Sequence, residues 1–300
     1  MHLAALVEAK HSLGYTISVC LPARNEAATV GEIVSKLRAR LLGSGSNDRG
    51  GLIDEIVVLD DGSTDATAST AEAAGATVVA ESSVLPEAGP GSGKGNALWK
   101  SLHACRGDLL CWLDADLQNF DADTVIRLVE PLLADSGTVL VKASYTRSFE
   151  GAPTGGGRVT ELVARPLVSL LFPKLADIVQ PLGGEYAARR DALEVLPFVE
   201  GWGVELGLLV DVVDRYGRDA VAQVDLGTRE HRNRPVDQLA AQSLALIATA
   251  LRRADLMHFD EPALELLRFD LAGNLDAEQV EIRERPPITT VPAYRALHAR

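Results

Sequence analysis

Residues 108–118 read Asp-Leu-Leu-Cys-Trp-Leu-Asp-Ala-Asp-Leu-Gln, an apolar run that stops at two carboxylates one residue apart. A run this short, aliphatic and aromatic and bounded by polar residues, is the pattern of a strand buried on both faces. Outward from it toward the N-terminus the same construction recurs. TISVCLP at 16–22, LIDEIVVLD at 52–60 and ATVVAES at 76–82 read as strands, and helical stretches at Ala28–Leu42, Asp65–Ala74 and Gly95–Arg106 alternate with them. Such alternation predicts an α/β fold whose mainly parallel sheet is flanked by helices on both faces. Ligands of these sheets sit beyond the carboxyl ends of the strands. Here those ends carry Pro22-Ala23-Arg24-Asn25-Glu26, Asp60-Asp61-Gly62-Ser63-Thr64-Asp65, Gly93-Lys94-Gly95 and Asp114-Ala115-Asp116.

Toward the C-terminus the order loosens. A helix is expected over Ala122–Leu133, a strand over 138–144, and then a glycine-rich stretch, GAPTGGGR, at 151–158. A helix over Val159–Leu171, the segment IVQPLGGEYAARR at 178–190, a helix over Val204–Tyr216 and a strand over 220–226 lead to the cluster REHRNRP at 229–235. From Val236 onward the chain reads as largely helical and then irregular. The stretch GSGSNDRGG at 43–51 falls inside the repeating pattern, so it is a surface loop and not a domain boundary.

Three hundred residues, 47% hydrophobic and 24% charged, exclude a disordered chain. Twenty-nine basic residues against 42 acidic ones give a net charge of −13, which opposes non-specific attraction to nucleic acid or anionic membrane. An anionic substrate must therefore be met by local charge. Three cysteines, with no metal-type spacing and with Cys20 and Cys111 in apolar runs, suit buried thiols in a reducing compartment. The opening residues MHLAALVEAKHSLGY lack the basic leader and apolar core of a signal peptide, which predicts a cytoplasmic protein. No run approaches the roughly 20 apolar residues of a membrane span. The apolar face around Leu239–Leu251 suits the pairing of two subunits in a homodimer.

Asp114 and Asp116 lie two residues apart at a strand end, so in extended backbone both point to one face and can reach one cation. Oxygen donors of this kind suit Mg²⁺ or Mn²⁺, which keep water and share substrate phosphates. An isolated Asp-x-Asp is as readily a solvated turn; the buried-strand pattern before it favours the metal. Lys94 lies in GPGSGKG, which is not a phosphate-cradling P-loop: Ala88 replaces its first glycine and Gly95 its hydroxyl residue. A lysine at a helix start can still meet a phosphate. Gly155-Gly156-Gly157-Arg158 before Val159 and Thr160 offers free amides, a guanidinium and a hydroxyl to a phosphate or carboxylate, a flexible capped loop being the alternative. Arg229, Arg232 and Arg234 around His231 reverse the sign of an acidic chain, suiting a diphosphate, or form a solvated basic loop. Glu205 opens a helix, where a carboxylate favours the dipole or faces a sugar hydroxyl.

The order Pro-Ala-x-Asn-Glu, Asp-Asp-Gly-Ser-x-Asp, Gly-Lys-Gly, Asp-x-Asp resembles the nucleotide-sugar glycosyltransferases of GT-A fold over residues 16–120. GGRVTELVARPL at 157–168, QPLGGEYAARR at 180–190, GWGVELGLLVD at 201–211 and REHRNRP at 229–235 extend the likeness to about residue 240 and make it similar to the glucosyl-3-phosphoglycerate synthase family. The resemblance implies a GT-A domain over 1–240, with a nucleotide-sugar half at 14–120 and an acceptor half at 121–240, followed by a helical extension and tail at 241–300. It implies metal-dependent, retaining transfer of glucose from UDP-glucose to D-3-phosphoglycerate. A mannosyl-3-phosphoglycerate synthase using GDP-mannose, a polyprenyl-phosphate glycosyltransferase and a non-catalytic nucleotide-sugar-binding protein are the competing classes.

Carried over position by position, the resemblance puts Pro22, Ala23, Arg24, Asn25 and Glu26 around the nucleoside, Asp61 by the base or ribose, and Lys94, Asp114 and Ala115 by the donor. Asp116 and His231 would hold the cation. Gly157, Arg158, Val159, Thr160 and Asn233 would receive the phosphoglycerate, Arg229 and Arg232 the diphosphate. Trp202, where the family more often has tyrosine, and Glu205 would lie by the transferring glucose, with Glu205 and Asp116 closest to the chemistry.

Overall fold

The structure, a computed structural model, describes residues 2–43, 50–149, 152–155, 157–229, 239–269 and 272–298. Its first half runs α1 (Leu3–Leu13), β1 (Ile17–Ala23), α2 (Val30–Leu41), β2 (Glu55–Asp60), α3 (Thr67–Ala74), β3 (Thr77–Ala80), α4 (Gly93–Ala104), β4 (Leu109–Trp112) and α5 (Asp123–Ala134). The second half runs β5 (Leu140–Phe149), β6 (Ala152–Gly155), α6 (Arg165–Leu171), β7 (Tyr186–Arg189), α7 (Arg190–Leu193), β8 (Phe198–Val199), α8 (Val204–Tyr216) and β9 (Val221–Arg229). It closes with α9 (Leu239–Arg253), β10 (Ala263–Phe269), β11 (Leu275–Glu281), β12 (Glu284–Arg285) and α10 (Pro292–His298).

The main sheet has the order β3-β2-β1-β4-β7-β5-β6, with β9 also on β5. β1 pairs β2 and β4 in parallel, β2 pairs β3 in parallel and β5 pairs β9 in parallel; β7 runs antiparallel between β4 and β5. Chain order reverses at β1, whose next strand lies on one side and whose later strand β4 lies on the other, and that crevice is where open α/β sheets take ligands.

Side-chain alternation along the strands feeds two cores. Val19, Leu21, Val58 and Cys111 pack with α1, α2 and α5 on one face, while Cys20, Val57, Leu110 and Trp112 pack with α4, α8 and α9 on the other. Trp112 is fully buried, meets Tyr186 edge-on at 5.0 Å between ring centroids, and donates its indole N–H to Ser101 Oγ at 2.8 Å. Two consecutive arginines close helix ends. Arg190 donates to the carbonyls of Leu102, Cys105 and Gly107 after α4, and Arg189 to those of Leu132, Asp135 and Thr138 after α5. Each supplies positive charge and donors where a helix leaves its last carbonyls unpaired.

The C-terminal region departs from its reading. The stretch taken as helical and then irregular holds α9 and α10 and, between them, an antiparallel hairpin, β10–β11, and a short strand, β12, paired with β8. The hairpin lacks the apolar-in, polar-out alternation that marks a strand: Leu267, Phe269 and Leu275 are exposed, as are Asp276 and Glu278 beside them. The apolar face of α9, expected to join two subunits, is occupied within the chain: Ala245, Leu246, Ala248 and Ala250 are buried, and α9 packs on α8 and β11. Among the described residues no helix is long and apolar enough to cross a membrane.

Trp112→Ala opens a large cavity between β4 and α4 and is expected to cost about 3–5 kcal/mol. Urea unfolding checks this, as a lowered midpoint with the slope unchanged.

Candidate active site

Hydrogen bonds between loops assemble the strand ends. Asn25 sits at φ 59°, a left-handed conformation that asparagine tolerates. Its backbone N–H donates to Ser63 Oγ at 3.0 Å and its side-chain oxygen accepts from the Thr64 N–H at 2.8 Å, while the Glu26 N–H donates to Thr67 Oγ1 at 2.8 Å. The Thr29 hydroxyl donates to the Ala115 carbonyl at 2.6 Å. The loops after β1, β2 and β4 are thereby tied into one wall.

That wall borders a cleft of about 520 Å³ lined, among others, by Pro22, Ala23, Arg24, Glu26, Asp61, Lys94, Asp114, Ala115, Asp116, Trp202 and Glu205, and on its far side by Gly157, Arg158, Val159 and Thr160. Fifteen of the residues singled out by sequence thus meet in one place. Asn25 is the exception within its loop: it braces Thr64 and does not line the cleft. Of Arg229 only the backbone is described, and His231, Arg232 and Asn233 lie outside the described residues.

Lys94 is the hinge of the electrostatics. It enters at the first turn of α4, and its Nζ lies 2.6 Å from Asp114 Oδ1 and 3.0 Å from Glu205 Oε1. Burial works to lower the Lys94 pKa, and the two carboxylates outweigh it and hold the ammonium well above its ordinary value. Asp114, which the resemblance places by the donor, pairs with this lysine. One positive charge against the carboxylates of Asp114, Asp116 and Glu205 leaves the cleft floor negative, so a diphosphate laid on it needs added cationic charge. Among the described residues no three His, Cys, Asp or Glu side chains cluster as a metal site. The hard oxygen donor of Asp116, beside an open cleft with room for phosphate and water, nevertheless fits Mg²⁺ or Mn²⁺, which take few protein ligands.

Asp61 stands partly buried at the end of β2. Burial pushes its carboxyl pKa up, Arg24 Nη1 at 3.9 Å opposes that, and Glu81 adds to it. The acceptor side is a glycine-led turn. Gly157 sits at φ 73°, which favours glycine, and residues Thr160–Ala164 form a π-helical turn that runs into α6. Thr160 is buried and its neighbours Gly157, Arg158 and Val159 are half-buried, so the turn presents its guanidinium and hydroxyl at the cleft wall.

Several lining residues are not among the site residues singled out by sequence: Leu182 and Gly184, inside the stretch QPLGGEYAARR before and along β7, and Leu239, Gln242 and Leu246 on α9. Gly184 lies directly against the ion trio, where a methyl group would overlap Lys94 Nζ and both Asp114 oxygens. Tyr186, two residues on, is buried near the trio; burial first, then Glu205, push its phenol pKa well above the ordinary value and keep it neutral.

Gly184→Ala pushes on the side-chain ends of Lys94 and Asp114 and not on backbone, so the thermal midpoint should hold within a few degrees. A displacement of about 1 Å at the trio should lower kcat about 10²-fold. Thermal unfolding and steady-state kinetics on the same preparation check the split.

Residues 18–194 match the family model described as Glycosyl transferase family 2. The chain is 47% identical over 285 residues to the glucosyl-3-phosphoglycerate synthase of Mycolicibacterium smegmatis, covering 93% of this chain and 90% of that protein. It superposes with a TM-score of 0.84 on the crystal structure of glucosyl-3-phosphoglycerate synthase from Mycobacterium tuberculosis in complex with Mn²⁺, UDP-glucose and phosphoglyceric acid, at 46% identity over 97% of this chain and 95% of that one. The same enzyme in complex with Mg²⁺ and UDP matches with a TM-score of 0.83 at 45% identity, over 97% and 96% of the two chains. With this likeness across nearly the whole length of both partners, and with the sheet order and strand-end cleft that accompany it, the chain belongs to the glucosyl-3-phosphoglycerate synthase family of GT-A glycosyltransferases.

Proposed function

We propose that the cleft transfers glucose from UDP-glucose to D-3-phosphoglycerate, with retention at the anomeric carbon and with Mg²⁺ or Mn²⁺ bound beside the diphosphate. The observation that carries this reading is the convergence in one cleft of the strand-end set Asp61, Lys94, Asp114 and Asp116, the turn Gly157–Thr160, and Glu205. In this reading residues 14–120 supply the nucleotide-sugar half, 121–240 the acceptor half, and 241–300 an extension packed on both.

Pro22, Ala23, Arg24 and Glu26 enclose the nucleoside, and Asp61 accepts hydrogen bonds from the base or ribose. Asp116 holds the cation, with His231 as its partner ligand. The cation supplies Lewis-acid stabilisation of the departing diphosphate. Without it, a phosphate charge 4 Å from Asp116 would be opposed by about 4 kcal/mol at an effective dielectric constant of 20. Arg229 and Arg232 add positive charge at the diphosphate.

Arg158, Thr160, Asn233 and the amide of Gly157 grip the carboxylate and phosphate of the acceptor, so its hydroxyl meets the anomeric carbon already oriented. Asp114 and Glu205 are both held by Lys94 at ion-pair distance. A carboxylate so engaged is a poor covalent nucleophile, and Glu205 is assigned to orient the glucose beside Trp202 while the acceptor attacks from the face the diphosphate leaves. Residence in the cytoplasm belongs to the same reading, supported by three buried free thiols. A homodimer would use a surface other than the covered face of α9.

The test is a panel of UDP-glucose, GDP-mannose and ADP-glucose, each with 3-phosphoglycerate and Mg²⁺ or Mn²⁺, read by product mass. The expected product is a hexosyl-phosphoglycerate formed fastest from UDP-glucose and lost on chelation of the metal. Preference for GDP-mannose overturns the donor assignment, and turnover in the presence of chelator overturns the metal.

A further inference from the structure

A buried cluster of charges lies behind the cleft, and its centre is Arg285 on β12, contributed by the C-terminal region. Its guanidinium donates to the carbonyls of Ala88 at 2.7 Å and Gly89 at 3.1 Å and to Asn96 Oδ1 at 2.8 Å, and its Nε lies 2.7 Å from Glu200 Oε1. The plane rests 5.2 Å over the ring of Trp99, whose indole N–H donates to the Pro286 carbonyl at 2.8 Å. Glu200 accepts the N–H of Ser92, the residue before α4, at 3.1 Å. Asn96 donates to Glu81, which pairs with Lys100 at 2.9 Å. Arg285, Glu200, Asn96, Glu81 and Lys100 are all buried.

The contacts fall on both approaches to the Lys94–Glu205 pair. On one side is the loop Ala88–Gly93, which carries three glycines, two of them at positive φ, and leads directly to Lys94. Such a loop has little conformational preference of its own. On the other side Glu200 precedes the turn Gly201–Gly203, which sets Trp202 and the start of α8 with Glu205. Through Asn96 the cluster also reaches Glu81, whose charge acts on Asp61. Two acids and two bases cancel in the cluster, and a buried ion pair is by itself weak evidence for stability. What the planar fork adds is geometry: one rigid group fixes two carbonyls and a carboxylate at once.

We propose that Arg285 is a positioning residue for donor binding, acting through the loop Ala88–Gly93 and Glu200 to hold Lys94 and Glu205 in register across the cleft. The proposal rests on the reading of that cleft as a nucleotide-sugar site. Binding is then improved by preorganisation and not by contact, since Arg285 is not among the residues that line the cleft.

Arg285→Lys keeps a positive charge opposite Glu200 and removes the fork. Gly91→Ala disturbs the same contact from the loop side, because its methyl group would overlap Arg285 Nη2 and Asn96 Oδ1. For both variants KM for UDP-glucose and the calorimetric Kd for UDP with Mn²⁺ should rise about tenfold. KM for 3-phosphoglycerate should stay within about twofold, since the acceptor turn shares none of these contacts. If Arg285→Lys does not fold, Gly91→Ala decides. Unchanged UDP affinity and donor KM, or an equal rise in both KM values in step with a falling thermal midpoint, would overturn the proposal. Absence of turnover on UDP-glucose by the unmodified chain would instead count against the function assigned above, with UDP binding remaining the readout here.

Discussion

The site depends on a single lysine set between two carboxylates. Lys94 is positioned by the start of α4, Asp114 by the end of β4 and Glu205 by the start of α8, so the trio ties a helix of the second half of the chain to the strand-end wall built by the first. Taking three charges out of water is costly, and the geometry offsets that only because the three are brought within hydrogen-bond distance. Gly184 follows from the same constraint: any side chain there would occupy the space the trio needs. So does the negative balance of the cleft floor, which is what calls for a divalent cation.

This arrangement reconciles an acidic protein with anionic substrates. A net charge of −13 describes the surface as a whole. The functional charge is grouped at strand ends and the first turns of helices, where the fold supplies both amides and direction. Arg24 over Asp61 and Arg158 beside Thr160 are local exceptions in sign, and both line the cleft.

Much of this was legible because the chemistry sits where the sheet's periodicity stops. The runs ending at Pro22, Asp60 and Asp114 declare both strand and site, and α8 could be read to its ends from the glycines at 203 and 217. β7 was not legible: Tyr-Ala-Ala-Arg is short, poor in β-branched residues and flanked by arginine, yet it lies antiparallel in the middle of the sheet. Its place is fixed by Arg189 and Arg190 capping two helices, a tertiary role with no local signature. For the same reason the motif around Lys94 gave no sign of its ion-pair partners, Asp114 and Glu205, which are 20 and 111 residues away. Arg285 is the extreme case, since nothing in its own segment points to carbonyls 197 and 196 residues earlier.

The measurement that bears most directly on the lysine's role is the kinetics of Lys94→Met, a variant that keeps the side chain's apolar length and removes its charge. Unopposed, Asp114 and Glu205 repel each other and the incoming diphosphate. The account predicts a fall in kcat/KM for UDP-glucose of about 10²–10³-fold, the scale of losing one preorganised charged contact, measured well below a thermal midpoint that itself falls because two carboxylates lose their counter-ion. Turnover within about threefold of the unmodified enzyme would contradict it, because the carboxylates would then be held and neutralised by something other than this lysine.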